Sequence, residues 1–333
     1  MAMHIDVCNG DADGLCALVQ WRLHDPQAAQ LITGLKRNIE LLAHVQATRG
    51  DQLLVCDLSL RRNYQPLLHL LAAGVSVRYF DHHAAGDIPM HPLLEAHIDV
   101  ASNTCTSLLV DRYLDGELRA WALVGAFGDS LIQVADGLAA DMGLSKADRQ
   151  RLQSLGESIN YNAYGDSEQD VYIAPAQLYA KLIRYRDPLE FVKHEHIGAE
   201  LNARRQADLQ QAQALSPLQQ NARTRIYLLP AAPWSRRVIG CLGNQLALAE
   251  PQCAHALLRT TATGDFVVSV RAPQCAPIGA AAFCRPFGGD GRAAAVGIDH
   301  LPAAKLPQFM TAFSAHPWGN AAASPNNSYK GMT

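Results

Sequence analysis

The chain has 333 residues, enough for two ordinary domains, and its 49% hydrophobic and 18% charged residues exclude a disordered protein. It contains no apolar run of about 18 residues and no basic-then-apolar N-terminus, so we expect a cytoplasmic protein without a membrane span or signal peptide. The net charge of −3 argues against a long nucleic-acid track, because such proteins gain affinity mainly by neutralising phosphates. Eight scattered cysteines, none in a CxxC motif, predict free thiols.

The first 115 residues alternate short apolar runs with helix-like stretches. The predicted strands, which are short, apolar and rich in β-branched or aromatic residues, are MHIDVC, QLLVCDL and VSVRYF. The predicted helices are residues 14–24, 63–73 and 103–114. Because strands that alternate with helices form parallel sheets with helical crossovers, we predict an α/β fold for this part.

The rest of the chain indicates a helical region, a connector and a second α/β domain. Residues 117–195 have a mostly helical pattern, and the polar, Ala- and Gln-rich segment after them is typical of a connecting helix. A fresh α/β pattern follows, with a glycine-rich loop near 288–297. The predicted organisation is a parallel-sheet domain over 1–196, a helical connector over 197–221, a smaller α/β domain over 222–320 and a flexible tail over 321–333.

Acidic and imidazole side chains follow each predicted strand of the first domain. Ligands of parallel α/β sheets bind outside the carboxyl ends of the strands, so these groups are expected to converge on one edge. In chain order they are Asp11, Asp13, Asp57, Asp81, His82 and His83, with Asp129 following a later helical run.

This many carboxylates at one edge predict a bound divalent cation. Like charges a few ångströms apart cannot all stay ionised in a low-dielectric pocket without compensation. Mixed Asp and His ligands suit Mn²⁺, with Mg²⁺ or Co²⁺ as alternatives, and two ions about 3.5–4 Å apart would clamp a phosphoryl group. Asp57, alone on the middle strand, is the predicted bridging ligand.

Each motif also has an ordinary structural interpretation. Taken alone, Asp11 is equally consistent with an N-cap of the helix from Leu15, and Asp57 with a strand-end cap. A histidine pair such as His82-His83 most often lies in a solvated loop. The metal interpretation therefore depends on the combination of the motifs on successive strands.

Together the motifs resemble the four signature motifs of the DHH phosphoesterase superfamily. The matching residues are Asp11-Ala12-Asp13-Gly14, Asp57, Asp81-His82-His83 and Asp129. The C-terminal half is similar to the DHH-associated substrate-binding domain, through Gly243-Asn244-Gln245-Leu246-Ala247, Ser269-Val270-Arg271 and the segment 287–297. The resemblance spans nearly the whole chain.

The resemblance implies a role for each matching residue. One metal ion would be held by Asp11 and Asp57, and the other by Asp13, Asp57, His82 and Asp129. His83 would act on the scissile phosphate, and Asp81 would orient neighbouring groups. The residues implied in substrate binding are Arg271, Gly288, Gly289, Gly291 and Arg292.

Three positions depart from the family pattern. Asn9 stands where many relatives carry His or Asp, and an amide is a weaker metal ligand. Arg292 stands at a usual histidine; it keeps a donor and a positive charge but changes the stacking geometry. Asp290 replaces a usual glycine and adds an acid beside the presumed ligand.

The function these features imply is metal-dependent hydrolysis of phosphodiester or phosphomonoester bonds, of the oligonucleotide exonuclease type. The expected partner is a short oligonucleotide or small nucleotide rather than a long nucleic acid or a membrane, and a homodimer stays open. Three alternatives remain: an inorganic pyrophosphatase or polyphosphatase, a cyclic-dinucleotide phosphodiesterase, and a catalytically weak nucleotide sensor.

Overall fold

The structure is a computed structural model that describes residues 2–319, and the predicted flexible tail, 321–333, lies outside them. The chain divides between Asp208 and Leu209 into two compact units. Over the described residues, none of the helices has both the length and the apolar character needed to cross a membrane.

The N-terminal unit contains a parallel sheet and a set of helices. The strands are β1 (His4–Asn9), β2 (Ala29–Gly34), β3 (Gln52–Cys56), β4 (Ser76–Asp81) and β5 (Leu94–Ile98). They pair in parallel in the order β2-β1-β3-β4-β5. The helices are α1 (Ala12–His24), α2 (Tyr64–Ala72), α3 (Thr106–Tyr113), α4 (Arg119–Gly128), α5 (Ile132–Asp141), α6 (Lys146–Asn162), α7 (Pro175–Leu182), α8 (Pro188–His194) and α9 (Ile197–Gln213), which crosses the division.

The three central strands, β1, β3 and β4, are those that the apolar runs predict. Their side chains are almost all buried, as expected of strands covered on both faces. The two edge strands, β2 and β5, are only half-buried and carry fewer apolar residues, so their pattern is too weak to identify from sequence. The predicted α/β fold with a parallel sheet is confirmed.

The C-terminal unit is built on a mixed sheet. Its elements are β6 (Gln219–Gln220), β7 (Thr224–Leu229), α10 (Pro233–Ala249), β8 (Ala254–Thr260), β9 (Phe266–Arg271), α11 (Ala280–Cys284), β10 (Asp290–Gly291), β11 (Ala295–Leu301) and α12 (Leu306–Ala315). The strand order is β10-β11-β9-β8-β7-β6, with β7 and β8 parallel and the other pairs antiparallel. A buried aromatic cluster packs beneath this sheet, with Phe309, Phe313 and Trp318 at its centre.

The glycine-rich segment of this unit is more ordered than the predicted loop. Asp290 pairs with Gly297, and Gly291 with Val296, so that β10 and β11 form a tight hairpin. Gly291 has a φ of +150° and a Cβ there would lie 2.5 Å from the carbonyl oxygen of Ala295. Glycine is therefore required for the turn itself, apart from any ligand.

Gly10, between β1 and α1, lies close against the end of β2 and the start of α7. A Cβ on Gly10 would lie 2.0 Å from the Gly34 carbonyl oxygen and 2.7 Å from the Pro175 Cβ. Both are fixed parts of the fold that cannot swing away. Position 10 therefore tolerates no side chain without a shift of this backbone.

We expect Gly10→Ala to lower the free energy of unfolding by at least about 1–3 kcal/mol, the usual cost of overpacking. Gly137→Ala is the matched control, because Gly137 lies inside α5 with no atom within 4 Å of an added Cβ. That alanine should stabilise the protein by about 0.5–1 kcal/mol. Chemical denaturation of both variants measures the difference, and equal effects would contradict the packing argument.

Candidate metal centre

Asp11 lies between β1 and α1, where it caps the helix. Its Oδ1 accepts hydrogen bonds from the backbone N–H groups of Asp13 and Gly14, both at 3.1 Å, and its Oδ2 is bonded to the ammonium group of Lys36. Burial acts to raise the Asp11 pKa, but the charge and hydrogen bond of Lys36, with the Gly14 N–H, outweigh it and lower that pKa to about 2. Asp11 is thus the N-cap of α1 and is also paired with Lys36.

Asp13 is buried in the first turn of α1 and is fixed by the start of α3. Its Oδ2 accepts from the backbone N–H of Thr106 and its Oδ1 from that of Ser107, each at 2.8 Å. The first N–H groups of a helix lack carbonyl partners within the helix and so favour a carboxylate. The position of the Asp13 carboxylate is thus set by a helix that is distant in sequence.

Asp57 follows β3 and has a φ of +61°, in the left-handed region that non-glycine residues seldom adopt. Its Oδ1 accepts from the Thr106 hydroxyl at 3.2 Å and lies 3.2 Å from Nε2 of His82. Burial, together with the negative charges of Asp11 and Asp13, raises the Asp57 pKa well above its usual range. Asp57 is therefore a crowded carboxylate whose charge a cation would compensate.

His82 lies at the centre of the acidic groups. It is buried, and its Nε2 lies 3.2 Å from the Asp57 Oδ1 and 3.6 Å from the Asp13 Oδ2. Burial acts to lower the His82 pKa, but the bond to Asp57 and the charges of Asp129, Asp13 and Asp57 raise it to about 10. Without metal, a proton on the imidazole thus partly balances the carboxylates.

His83 and Asp81 form a pair beside these groups. Nδ1 of His83 lies 2.7 Å from Oδ1 of Asp81, which is fully buried, while the His83 side chain is 45% exposed. The His83 ring centroid lies 4.4 Å from that of His82. A carboxylate bonded to Nδ1 in this way fixes the orientation and tautomer of an imidazole and leaves Nε2 for another partner.

Two sets of side chains bring ligand atoms close enough to share a metal ion. In each set the candidate ligand atoms lie within 4.8 Å of one another, and His82 belongs to both. The sets are Asp57, His82 and His83, and Asp13, His82 and Asp129. Since these are mixed oxygen and nitrogen donors with a crowded carboxylate, they fit an ion such as Mn²⁺. Asp11 belongs to neither set among the described residues.

Asn9, predicted as a weak ligand, is engaged by the backbone. Its Oδ1 accepts from the Asp11 N–H at 3.1 Å, and its Nδ2 donates to the Lys36 carbonyl oxygen at 3.2 Å. Its side chain is buried between β1 and the residues after β2. These two bonds connect the loop after β1 to the residues after β2.

Sequence reasoning missed Lys36, Thr106 and Ser107, which contact the predicted carboxylates. Lys36 comes two residues after β2, which pairs with β1, so identification of AQLITG as a strand would have placed Lys36 near the end of β1 and Asp11. Thr106 and Ser107 begin a helix that the sequence does predict. Their signal was the helix N-terminus, which attracts carboxylates.

The residues predicted to bind substrate in the C-terminal unit lie on β9 and around the β10–β11 hairpin. Arg271, at the end of β9, donates from Nε to the Asn244 Oδ1 at 2.7 Å and from Nη1 to the Ser269 Oγ at 2.9 Å. Gly288 has a φ of +78°, and a Cβ on Gly289 would lie 2.6 Å from the Cys284 Cβ. The backbone N–H of Arg292 donates to the Ala295 carbonyl oxygen at 2.9 Å, within the hairpin turn that also contains Gly291.

No protein-family model matches the sequence, and no curated protein gives a significant sequence match. Solved structures do match. An exonuclease RecJ bound to manganese is 19% identical with a TM-score of 0.59, over 94% of this chain and 89% of that one. The DHH domain of a protein described as belonging to a family of ribosomal proteins is 15% identical with a TM-score of 0.62, over 94% and 85%.

A third match is RecJ from Thermus thermophilus in complex with Mn²⁺, which is 20% identical with a TM-score of 0.62. It covers 94% of this chain and 51% of the larger protein. At identities this low, the likeness shows a shared fold. That fold is the one the sequence motifs predicted.

Proposed function

Because the chain has the DHH-superfamily fold, we propose that it is a metal-dependent phosphoesterase. The observation that carries the proposal is the convergence on His82 of Asp57, which follows β3, Asp13 in the first turn of α1, and Asp129 at the end of α4. Folds with parallel sheets bind their ligands at the carboxyl ends of the strands. The manganese present in the two RecJ structures supports Mn²⁺ as the ion.

A bound divalent ion would supply Lewis acidity to a phosphoryl oxygen and favour ionisation of an attacking water. The start of α3 would hold two of the acidic ligands in place, since its N–H groups bind the Asp13 carboxylate and the Thr106 hydroxyl donates to Asp57. His83, oriented by Asp81 and half-exposed, would contact the scissile phosphate through Nε2. His82 would give up its proton when it takes up metal.

The proposed substrate is a short oligonucleotide or a small nucleotide. The net charge of −3 supports this choice, because a long strand gains affinity chiefly through many phosphate contacts with basic side chains. All eight cysteines lie within the described residues and form no disulfide there, which supports a cytoplasmic setting.

Hydrolysis assays with Mn²⁺ test the proposal. The substrates are bis(p-nitrophenyl) phosphate, oligonucleotides of two, five and thirty units, a cyclic dinucleotide and pyrophosphate. We expect turnover of the diester and of the two-unit oligonucleotide, a lower catalytic efficiency on the thirty-unit strand, and loss of all turnover with a chelator. Hydrolysis of pyrophosphate alone would indicate a pyrophosphatase instead. If none of these substrates is hydrolysed, the result would favour a nucleotide sensor.

Arg271→Ala is expected to raise KM for a dinucleotide by roughly ten- to hundredfold, with little change in kcat. The reason is the loss of a charge-assisted bond to a substrate phosphate, worth about 1.5–3 kcal/mol, which would be made equally in the ground and transition states. Steady-state kinetics measures both constants, and Arg151→Ala, at an exposed position on α6, is the control. A fall in kcat at constant KM would place Arg271 in the chemistry instead.

A further inference from the structure

The Asp11 carboxylate has both oxygens engaged by the protein itself. Oδ1 accepts from the N–H groups of Asp13 and Gly14, and Oδ2 is bonded to the Lys36 ammonium. Asn9, the neighbouring candidate ligand, uses its Oδ1 and Nδ2 on backbone groups. Each polar atom of these two side chains thus already has at least one protein partner.

Lys36 is held in this position by the end of α6. Its backbone N–H donates to the Ala163 carbonyl oxygen at 3.0 Å, and its Nζ donates to the Asn160 Oδ1 at 3.3 Å. The ammonium also lies 5.8 Å from the centroid of the Tyr164 ring, and the side chain is only 28% exposed. The end of a helix favours a positive charge, so the ammonium is stabilised there independently of Asp11.

We propose that the Lys36 ammonium replaces one of the two metal ions expected from the motifs, so that the protein binds a single divalent ion. The ammonium neutralises Asp11 directly, and its fixed positive charge would repel a dication bound to the same carboxylate. The inference rests on the proposed function in that it takes the groups around His82 as ligands of the remaining ion.

The groups that remain form two ligand sets that share His82. One set adds Asp57 and His83 and the other adds Asp13 and Asp129, so a single ion beside the His82 ring has three candidate ligands in either set. The Lys36 ammonium would then supply the second positive charge for a substrate phosphoryl group. Lysine is well suited to this, since it interacts with phosphate as a compact point charge.

The metal content and the electron paramagnetic resonance spectrum of the full chain, saturated with Mn²⁺ and then dialysed, test the inference without an activity assay. We expect about one Mn²⁺ per chain and the six-line spectrum of an isolated ion. Two tightly bound ions with an exchange-coupled spectrum would overturn the inference.

Two variants test whether Lys36 is the cause. Lys36→Met keeps most of the side-chain volume but removes the charge, so it should release Asp11 and raise the content to about two Mn²⁺ per chain. Lys36→Arg keeps the charge, so this variant should still bind about one Mn²⁺ per chain. A Lys36→Met protein that is folded by circular dichroism but still binds one ion with unchanged affinity would overturn the role of Lys36. If the variant does not fold, the number of Mn²⁺ ions bound by the wild type decides whether one ion or two are held.

The outcomes separate this inference from the proposed function. Two bound ions with Mn²⁺-dependent hydrolysis would leave the phosphoesterase proposal intact and refute the inference that Lys36 replaces one ion. One bound ion without hydrolysis of any tested phosphoester would support the inference about Lys36 and refute the phosphoesterase proposal.

Discussion

His82→Ala is expected to reduce Mn²⁺-dependent diester hydrolysis by about a thousandfold or more and to abolish tight Mn²⁺ binding. His82 is the one residue common to both candidate ligand sets found among the described residues, and it is buried among the carboxylates. A catalytic metal contributes several kcal/mol of transition-state stabilisation, and each 1.36 kcal/mol is a factor of about ten in rate. Turnover rates and calorimetric Mn²⁺ titrations of the same preparation measure both effects.

His194→Ala provides the matched control, because His194 lies on α8 with a 54% exposed side chain paired to Glu190. It should retain the wild-type rate and metal affinity. If the His82 variant bound Mn²⁺ as tightly as the wild type, the metal centre would have to be sought elsewhere.

Asp57→Asn is expected to change activity and stability in opposite directions. Loss of the central carboxylate should again lower hydrolysis by about a thousandfold. The same change removes a crowded charge, so the chelated protein should melt higher, by roughly 2–4 °C for about 1 kcal/mol. Asparagine is the substitution of choice because it tolerates the φ of +61° better than alanine.

The stability gain from Asp57→Asn should depend on pH. The pKa of Asp57 is raised in the folded protein, so between the unfolded value of about 4 and the raised value the folded state binds more protons than the unfolded state. The wild type therefore loses stability as the pH rises through that window, and the variant lacks this loss. Melting temperatures in chelator from about pH 4 to 7 should show a widening gap, whereas a constant gap would contradict the assignment of the charge effect to Asp57.

The predicted and observed structures differ most where side-chain patterns carry little signal. The strands β1, β3 and β4 are continuous apolar runs because both of their faces are buried, and they were predicted. The edge strands β2 and β5 are half-buried and have mixed sequences that resemble loops, so they were not predicted. The omission of β2 had a consequence, because Lys36 follows it and contacts Asp11.

The sequence by itself determined the α/β class, the strand ends that bear acidic groups and the motifs that predict a metal centre. It could do so because a buried strand is identified from its own run of apolar residues, and because ligands of parallel sheets bind where such strands end. The contacts of each carboxylate depended on tertiary structure: α3 fixes Asp13, and the end of α6 presents Lys36 to Asp11. Charge compensation in a buried centre is set by distances between segments far apart in sequence, and only the folded chain defines those distances.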